Sequence, residues 1–189
     1  MKLKSLIVVL LCIVVCSSCE QPPIEAYAVL PQPQEINYVQ GFVKLKDKPM
    51  VVYSNELSNE ALLLASYLKN DFAVEVTLEE GKDKGDVILL LDSTVLPDKK
   101  GGYVLEAAGS RITIKASTPE GVFNGVQTLR QIIKEREGRL TVQKALVTDY
   151  PAFSWRAFML DEGRYFKGKE VVLNLLDRMA ELKMNVFHW

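Results

Sequence analysis

Residues 153–189 combine two short apolar runs with one amphipathic segment between them. The runs, residues 155–161 and 185–189, have the length of buried strands, and the segment between them repeats apolar side chains at helical spacing. The apolar positions of this segment are Val171, Val172, Leu175, Leu176, Met179 and Leu182. Its charged residues, including Lys183, fall largely off that stripe, so the pattern predicts a right-handed β-α-β unit with parallel strands. Two parallel strands cannot bury both faces of their sheet, and the unit therefore requires further parallel strands beside it.

Two stretches of this region carry a resemblance to a known family. Residues 150–166 read YPAFSWRAFMLDEGRYF, and residues 182–189 read LKMNVFHW. They resemble the opening of the catalytic barrel in glycoside hydrolase family 20, the β-N-acetylhexosaminidases. In that family the first strand carries W-R-G-x-x-L-D-x-x-R-[HY]-[FY], and the second reads N-x-F-H-W followed by H-L-x-D-D. Ala157 replaces the usual glycine, Tyr165 replaces the histidine of many members, and everything after the second strand is missing beyond Trp189.

Residues 1–19 have the pattern of a bacterial export signal. Lys2 and Lys4 precede an uncharged apolar run over residues 6–15, which at about ten residues is too short for a membrane-spanning helix of about 20. Small residues directly before Cys19 resemble a lipoprotein cleavage box. This resemblance implies that Cys19 becomes a lipidated N-terminus and that the protein is held in the cell envelope, on its periplasmic or its surface face. The alternative is an ordinary secretory peptide, which has the same consequence of export.

Composition limits the class of the mature chain. Of the three cysteines, Cys12 and Cys16 lie inside the predicted signal, so no internal disulfide can form and stability must come from a packed core. The sequence supports such a core, because 48% of its residues are hydrophobic and 25% are charged. A net charge of -1 gives no reason to expect a nucleic-acid partner. The sequence has no cluster with metal-ligand spacing and no phosphate-binding glycine loop, so we expect neither a metal nor a cofactor.

Residues 30–150 alternate strands and helices in the manner of a small α+β domain, and the proline-rich stretch around residues 20–29 predicts an extended tether before it. Strands are predicted at residues 42–45, 50–53, 74–78, 87–91, 103–107 and 111–116. Residues 87–91 are uninterrupted apolar and are therefore expected to form a central strand. The last two predicted strands form a hairpin in which Ile112 and Ile114 face the core.

Two helices are predicted within this domain. Ser54 is expected to cap the first helix. The second has Thr118 as its cap and Pro119 at its first position, and it is expected to end at Gly138. The predicted buried stripes are Leu57, Ala61, Leu64 and Leu68 in the first helix, and Val122, Val126, Leu129 and Ile133, broadened by Phe123 and Ile132, in the second.

The second helix carries a further resemblance. Residues 116–133, ASTPEGVFNGVQTLRQII, resemble the accessory domain that precedes family 20 barrels. Related α/β domains precede the barrels of several other glycosidase families, where they are structural companions of the barrel. The two resemblances together imply a fold of the α/β class, with an α+β accessory domain at residues 30–150 and, at residues 151–189, the first β-α-β unit of a truncated (β/α)8 TIM barrel. They assign no chemistry to the accessory domain.

Candidate site residues follow from the barrel geometry, because active sites on such barrels form at the C-terminal ends of the strands. Arg164 comes after the first strand, and a guanidinium group there can give directed hydrogen bonds to sugar hydroxyls. In the family, the arginine at this place holds hydroxyls of the terminal sugar. Asp161 is expected to accept hydrogen bonds at the barrel mouth, whereas Glu162, its strand neighbour on the opposite face, is expected to be a solvated charge. His188 is the only histidine, and it is either a hydrogen-bonded core residue or a site residue.

The resemblance implies a parent enzyme that hydrolyses terminal non-reducing β-linked N-acetylglucosamine or N-acetylgalactosamine with retention. The acetamido oxygen of the substrate attacks the anomeric carbon, and a glutamic acid protonates the leaving group. The family's catalytic Asp-Glu pair belongs to a later strand, so we expect no catalytic residue in this chain and no activity of the chain alone. Its expected partners are a glycan and, through the lipid anchor, a membrane. The alternatives are another barrel glycosidase that shares the accessory domain and a non-catalytic surface lipoprotein module, and the oligomeric state is not defined.

Overall fold

The structure, a computed structural model, describes residues 23–81 and 83–189, so the predicted signal peptide and Cys19 lie outside the described residues. Within those two ranges no helix is long and apolar enough to cross a membrane. The regular elements of the described chain are β1 (Glu35–Lys44), β2 (Met50–Tyr53), α1 (Ser58–Phe72), β3 (Thr77–Glu80), β4 (Val87–Leu91), β5 (Tyr103–Ala108), β6 (Arg111–Ala116), α2 (Pro119–Ile132), β7 (Lys134–Arg136), β8 (Arg139–Asp149), β9 (Ala157–Met159), α3 (Lys169–Glu181) and β10 (Val186–His188).

The first eight strands form one mixed sheet. Its order is β1-β8-β5-β6-β4-β2-β3, and β7 pairs with β8. Strands β3, β2, β4 and β6 are paired in parallel, whereas the β6-β5, β5-β8 and β8-β1 pairs are antiparallel. β4 lies between β6 and β2, which confirms that residues 87–91 form a central strand. The hairpin of β5 and β6 is also confirmed, with Ala108 paired to Arg111 and both Ile112 and Ile114 buried.

The core lies between this sheet and helices α1 and α2, which pack on each other and on the strands. The predicted buried stripes are confirmed at Leu57, Ala61, Leu64, Leu68, Val122, Val126, Leu129 and Ile133. The start of α2 is confirmed as well, because the Thr118 hydroxyl accepts a hydrogen bond from the Gly121 N–H (3.2 Å) and Pro119 is the first helical residue.

The two predicted helix ends differ in detail from the structure. Ser54 occupies the N-cap position of a short 3-10 turn that leads into α1 at Ser58, but its side chain makes no capping hydrogen bond and instead accepts one from the N–H of Leu91 (3.4 Å). The second helix ends at Ile132, since the chain then continues as the strand β7. Gly138 lies in the turn between β7 and β8 with a φ of 71°, a conformation that glycine adopts without steric cost.

The sequence prediction omits β8 and shortens β1. β8 lacks a simple alternation because Thr141, Val142 and Gln143 are buried in succession. The Gln143 amide donates hydrogen bonds to the carbonyls of Val39 (2.6 Å) and Gly41 (2.9 Å), where the pairing of β1 with β8 shifts register. These contacts satisfy the buried amide of Gln143, and they hold the middle of β1 against β8.

From residue 23 to residue 34 the chain has no helix or strand, and hydrogen bonds attach this segment to the domain. The Glu25 N–H donates to Gln143 Oε1 (3.3 Å), and the Tyr27 hydroxyl donates to the Gln143 carbonyl. Leu30 exchanges two hydrogen bonds with the side chain of Gln131 on α2 (2.8 and 2.9 Å). From Glu25 onwards, the segment predicted to be a tether is therefore bound to the sheet and to α2.

The buried Tyr103 and the half-buried Tyr27 predict a loss of stability at high pH. Burial raises the pKa of Tyr103 and of Tyr27 well above the ordinary value of 10.0. The unfolded chain ionises first, so the stabilising contribution of each phenol is complete below about pH 10 and is lost as the pH rises. Above pH 10, ionisation of the Tyr103 phenol alone in the unfolded chain lowers the free energy of unfolding by about 1.4 kcal/mol per pH unit. We expect Tyr103→Phe to abolish that part of the fall, measured by urea unfolding. Tyr165→Phe, at an exposed position, is the control, and equal pH slopes in both variants would contradict the prediction.

The chain after the sheet forms the predicted β-α-β unit. β9 and β10 pair in parallel, with Ala157 opposite Val186 and Met159 opposite His188, and α3 connects them. Each strand contains three paired residues, fewer than the predicted runs at 155–161 and 185–189. Their pairing confirms the parallel connection, although the strands are shorter than the apolar runs suggest.

The buried face of α3 differs from the predicted stripe. Val172 and Met179 are buried as expected, but Val171 and Leu182 are exposed. Lys183, which was expected to lie off the stripe, has only 5% of its surface exposed. The physical reason is that α3 packs against α2 of the sheet domain, where the Lys183 ammonium group meets a buried carboxylate (2.8 Å).

Candidate functional site

A cleft lies at the carboxyl ends of β9 and β10. Because the two strands are parallel, the loop after β9 and Trp189, which follows β10, lie on the same side of the unit. The cleft has a volume of about 550 Å³ and is lined by Met159, Leu160, Asp161, Glu162, Gly163, Phe166, His188 and Trp189. Its walls thus combine carboxylate, imidazole and aromatic side chains, the groups that sugar-binding sites use for hydrogen bonding and apolar contact.

Glu162 connects the loop after β9 to Trp189 at the end of β10. Its Oε2 accepts a hydrogen bond from Trp189 Nε1 (2.9 Å), and its Oε1 accepts one from the N–H of Lys167 (2.9 Å). The expectation that Glu162 is a solvated charge is therefore wrong, because the indole of the other strand end supplies a donor. Sequence reasoning missed this pair, and the available signal was a tryptophan donor directly after the second strand.

Asp161 lies on the same cleft and orders the turn beside it. Its Oδ1 accepts a hydrogen bond from the N–H of Gly163 (2.9 Å), and its side chain is otherwise exposed. The expectation that Asp161 and Glu162 face opposite ways assumed that both belong to the strand. β9 ends at Met159, so both residues follow the strand, and the loop brings both to the cleft.

His188 is the last residue of β10, and its side chain is exposed at the cleft. Within the described residues, nothing covers this histidine as a core would. The strand end is held by a hydrogen bond from the Leu160 N–H to the His188 carbonyl (2.9 Å). This contact fixes the backbone that carries the imidazole and leaves the ring free to meet a ligand.

Arg164 lies in the loop after β9, next to the cleft residue Gly163. Its side chain is exposed and forms no hydrogen bond or ion pair with any residue that the structure describes. The structure thus brings Asp161 and His188 together in the cleft and places Arg164 beside it with all its donors available. A guanidinium group in that state can bind an acceptor-rich ligand without first breaking an internal contact.

This sheet domain followed by a parallel β-α-β unit is the arrangement at the start of barrel glycosidases that carry an accessory domain. Residues 26–150 match the model for glycosyl hydrolase family 20, domain 2, and residues 153–189 match the model for the glycosyl hydrolase family 20 catalytic domain. The chain belongs to glycosyl hydrolase family 20.

Individual relatives agree with this assignment. A β-hexosaminidase of Porphyromonas gingivalis is 32% identical over 170 residues, which are 85% of this chain and 22% of that protein. The β-hexosaminidase subunit A2 of Dictyostelium discoideum is 28% identical over 181 residues, which are 92% of this chain and 33% of that protein. This chain therefore spans about a third or less of the length of these curated relatives.

Solved structures show the same fold. The β-N-acetylhexosaminidase of Bacteroides fragilis superposes with a TM-score of 0.74 at 27% identity, covering 85% of this chain and 32% of that one. An exo-β-N-acetylglucosaminidase of Vibrio harveyi, solved in complex with N-acetylglucosamine, gives a TM-score of 0.75 at 25% identity, covering 90% of this chain and 27% of that one. The predicted fold class, an accessory domain and the start of a TIM barrel, is confirmed.

Proposed function

We propose that this chain is the N-terminal part of an exported β-N-acetylhexosaminidase and that its cleft contributes to binding the terminal sugar. The enzyme removes terminal β-linked N-acetylglucosamine or N-acetylgalactosamine with retention, through attack by the acetamido oxygen of the substrate. The observation that carries the proposal is the cleft at the ends of β9 and β10, with Asp161 and His188 on its wall and Arg164 beside it. The family membership and the hexosaminidase names of the relatives support the choice of sugar.

The chain alone is proposed to be inactive. Within the described residues the cleft offers two carboxylates, and Glu162 is already committed to Trp189 and Lys167. The Asp161 carboxylate accepts the N–H of Gly163 (2.9 Å) and so orders its own turn. Protonation of the leaving group therefore falls to a residue outside this chain, in agreement with the later strand that the family resemblance implies.

The alternatives receive less support. Another barrel glycosidase would share the sheet domain but would not match the catalytic domain of family 20 over residues 153–189. An independent surface module would leave Phe153, Trp155 and Met159 exposed, together with the unpaired edges of β9 and β10. Such apolar surface favours association, whereas further barrel strands would cover it.

Arg164 provides the first test. In the protein expressed from the complete open reading frame, we expect Arg164→Lys to lower kcat/KM for an aryl N-acetyl-β-glucosaminide by roughly tenfold to a hundredfold. The estimate corresponds to the loss of one charged hydrogen bond of about 1.5–3 kcal/mol, because lysine lacks the planar fork of donors. Arg111→Lys, at the exposed first residue of β6 in the sheet domain, is the matched control. Equal activity of the two variants would show that Arg164 does not contact the sugar.

Export and lipid attachment are a separate part of the proposal, supported by the signal pattern and by Cys19. We expect cells supplied with labelled palmitate to incorporate the label into the wild-type protein and into Cys12→Ser, and to lose it completely in Cys19→Ser, because only the cleaved terminal cysteine is acylated. Label that persists in Cys19→Ser would contradict lipidation at this residue. Wild-type protein without label in the culture medium would indicate ordinary secretion.

A further inference from the structure

Lys183 is a charged residue buried at the junction of the β-α-β unit with the sheet domain. It follows α3 and precedes β10, and its exposure of 5% is exceptional for a lysine. Its ammonium group donates to Asp149 Oδ2 (2.8 Å) and to the Tyr103 hydroxyl (3.0 Å). Asp149 is the last residue of β8 and Tyr103 is the first residue of β5, so both partners belong to the sheet.

The sheet holds these two partners in place. The Tyr103 hydroxyl lies 3.0 Å from Asp149 Oδ2 and 2.5 Å from Thr128 Oγ1 of α2. Asp149 has 7% of its surface exposed, and Tyr103 is fully buried. Burial lowers the pKa of Lys183, while the neighbouring Asp149 carboxylate opposes this shift. The positive charge of the ammonium group thus depends on the Asp149 carboxylate for neutralisation, because a buried charge without a partner lowers the stability of the fold.

Arg156 makes a second attachment at the start of the other strand. It directly precedes β9, and its Nε donates to the carbonyl of Lys183 (2.7 Å) while its Nη1 donates to the carbonyl of Phe153 (2.8 Å). Its Nη2 lies 3.5 Å from Glu120 Oε1, in the first turn of α2. The amino ends of β9 and β10 are therefore tied to each other and to the sheet domain.

We propose that Lys183 and Arg156 form a clamp that sets the position of β9 and β10 on the sheet domain and so positions the sugar cleft at the other ends of these strands. Asp149, Tyr103 and Glu120 are then positioning residues of the sheet domain. The strands are three residues long, so a shift at their amino ends reaches His188 and the loop of Asp161 directly. The term sugar cleft rests on the proposed function, whereas the clamp itself rests on the junction contacts.

The test uses hydrogen-deuterium exchange on the protein from the complete open reading frame. We expect Lys183→Met to speed amide exchange in β9 and β10 at least threefold, because Asp149 loses its compensating charge, while β4 and β6 keep the wild-type rates. Lys169→Met, at an exposed lysine of α3, is the control and leaves all rates unchanged. Unchanged exchange in β9 and β10, or an equal increase in every strand, would overturn the clamp.

A milder variant covers the case in which Lys183→Met does not fold. Arg156→Lys keeps a positive charge near Glu120 and leaves the Lys183–Asp149 pair in place, but it removes the forked contacts to the carbonyls of Phe153 and Lys183. Faster exchange confined to β9 and β10 supports the clamp, and wild-type exchange in this variant overturns it.

Steady-state kinetics test the positioning role. We expect Arg156→Lys to raise KM for an aryl N-acetyl-β-glucosaminide at least threefold with a smaller change in kcat, because the cleft that holds the sugar shifts. An unchanged KM together with faster exchange would limit the clamp to a structural role and overturn the positioning of the cleft. The exchange measurement needs no activity, so a failed clamp is distinguishable from a failed enzyme assignment.

Discussion

Alanine at position 121 is expected to lower the free energy of unfolding by about 2 kcal/mol or more. A Cβ at Gly121 would overlap the carbonyl oxygen of Gly102 and would lie 2.6 Å from the Cβ of Ala116. Both neighbours are short and fixed, so the first turn of α2 would have to move away from the sheet, and overpacking of this kind costs about 1–3 kcal/mol or more. The better helix propensity of alanine, about 1 kcal/mol, offsets only part of that cost.

Urea unfolding of Gly121→Ala measures this effect, and Gly81→Ala is the matched control. A Cβ at Gly81 would meet Val52 Cγ1 at 3.4 Å, an ordinary contact distance, so we expect a change within about 0.5 kcal/mol. Similar unfolding midpoints for the two alanine variants would contradict the close packing of α2 on β5 and β6.

The second large effect concerns the core between α1 and the sheet. Leu64 is fully buried on α1, and we expect Leu64→Ala to cost about 2–5 kcal/mol through lost apolar burial and the cavity left behind. Leu62 is on the same helix but is 59% exposed. Leu62→Ala is therefore expected to stay within about 0.5 kcal/mol of the wild type, measured by the same urea unfolding curves.

The Leu62 and Leu64 pair separates burial from helix propensity, because both variants replace leucine by alanine on α1. If both variants lost the same stability, the orientation of α1 on the sheet would be wrong. If neither lost stability, the helix would not contribute to the cooperative core.

Local patterns predicted those parts of the fold in which one face meets the core. Three such patterns predicted their elements because each carries a strong local preference: the apolar repeat containing Leu64 predicted α1, the run Val87–Leu91 predicted β4, and the cap at Thr118 predicted the start of α2. β8 was missed, because a strand with partners along both edges can bury polar residues such as Gln143 when they find tertiary hydrogen bonds. Such partners lie about a hundred residues away in the chain and leave no local signal.

In the candidate site, too, local patterns predicted some features and distant contacts determined the others. The prediction that residues after β9 and β10 converge follows from parallel pairing, and Asp161 and His188 do converge. The roles of Glu162 and Lys183 depended on contacts with Trp189 and Asp149, which come from other elements. The sequence analysis expected Glu162 to be solvated and Lys183 to lie off the buried stripe, whereas the structure gives each a specific partner.

Hydrolysis assays on the protein from the complete open reading frame decide whether it is a β-N-acetylhexosaminidase. The substrates are an aryl N-acetyl-β-glucosaminide and the matched aryl β-glucoside, which differ only in the acetamido group that the proposed mechanism uses as nucleophile. We expect the complete protein to hydrolyse the acetamido sugar and to leave the glucoside intact, and we expect the 189-residue chain to hydrolyse neither. Efficient hydrolysis of the glucoside, or failure of the folded complete protein to hydrolyse any N-acetyl-β-hexosaminide, would contradict this assignment.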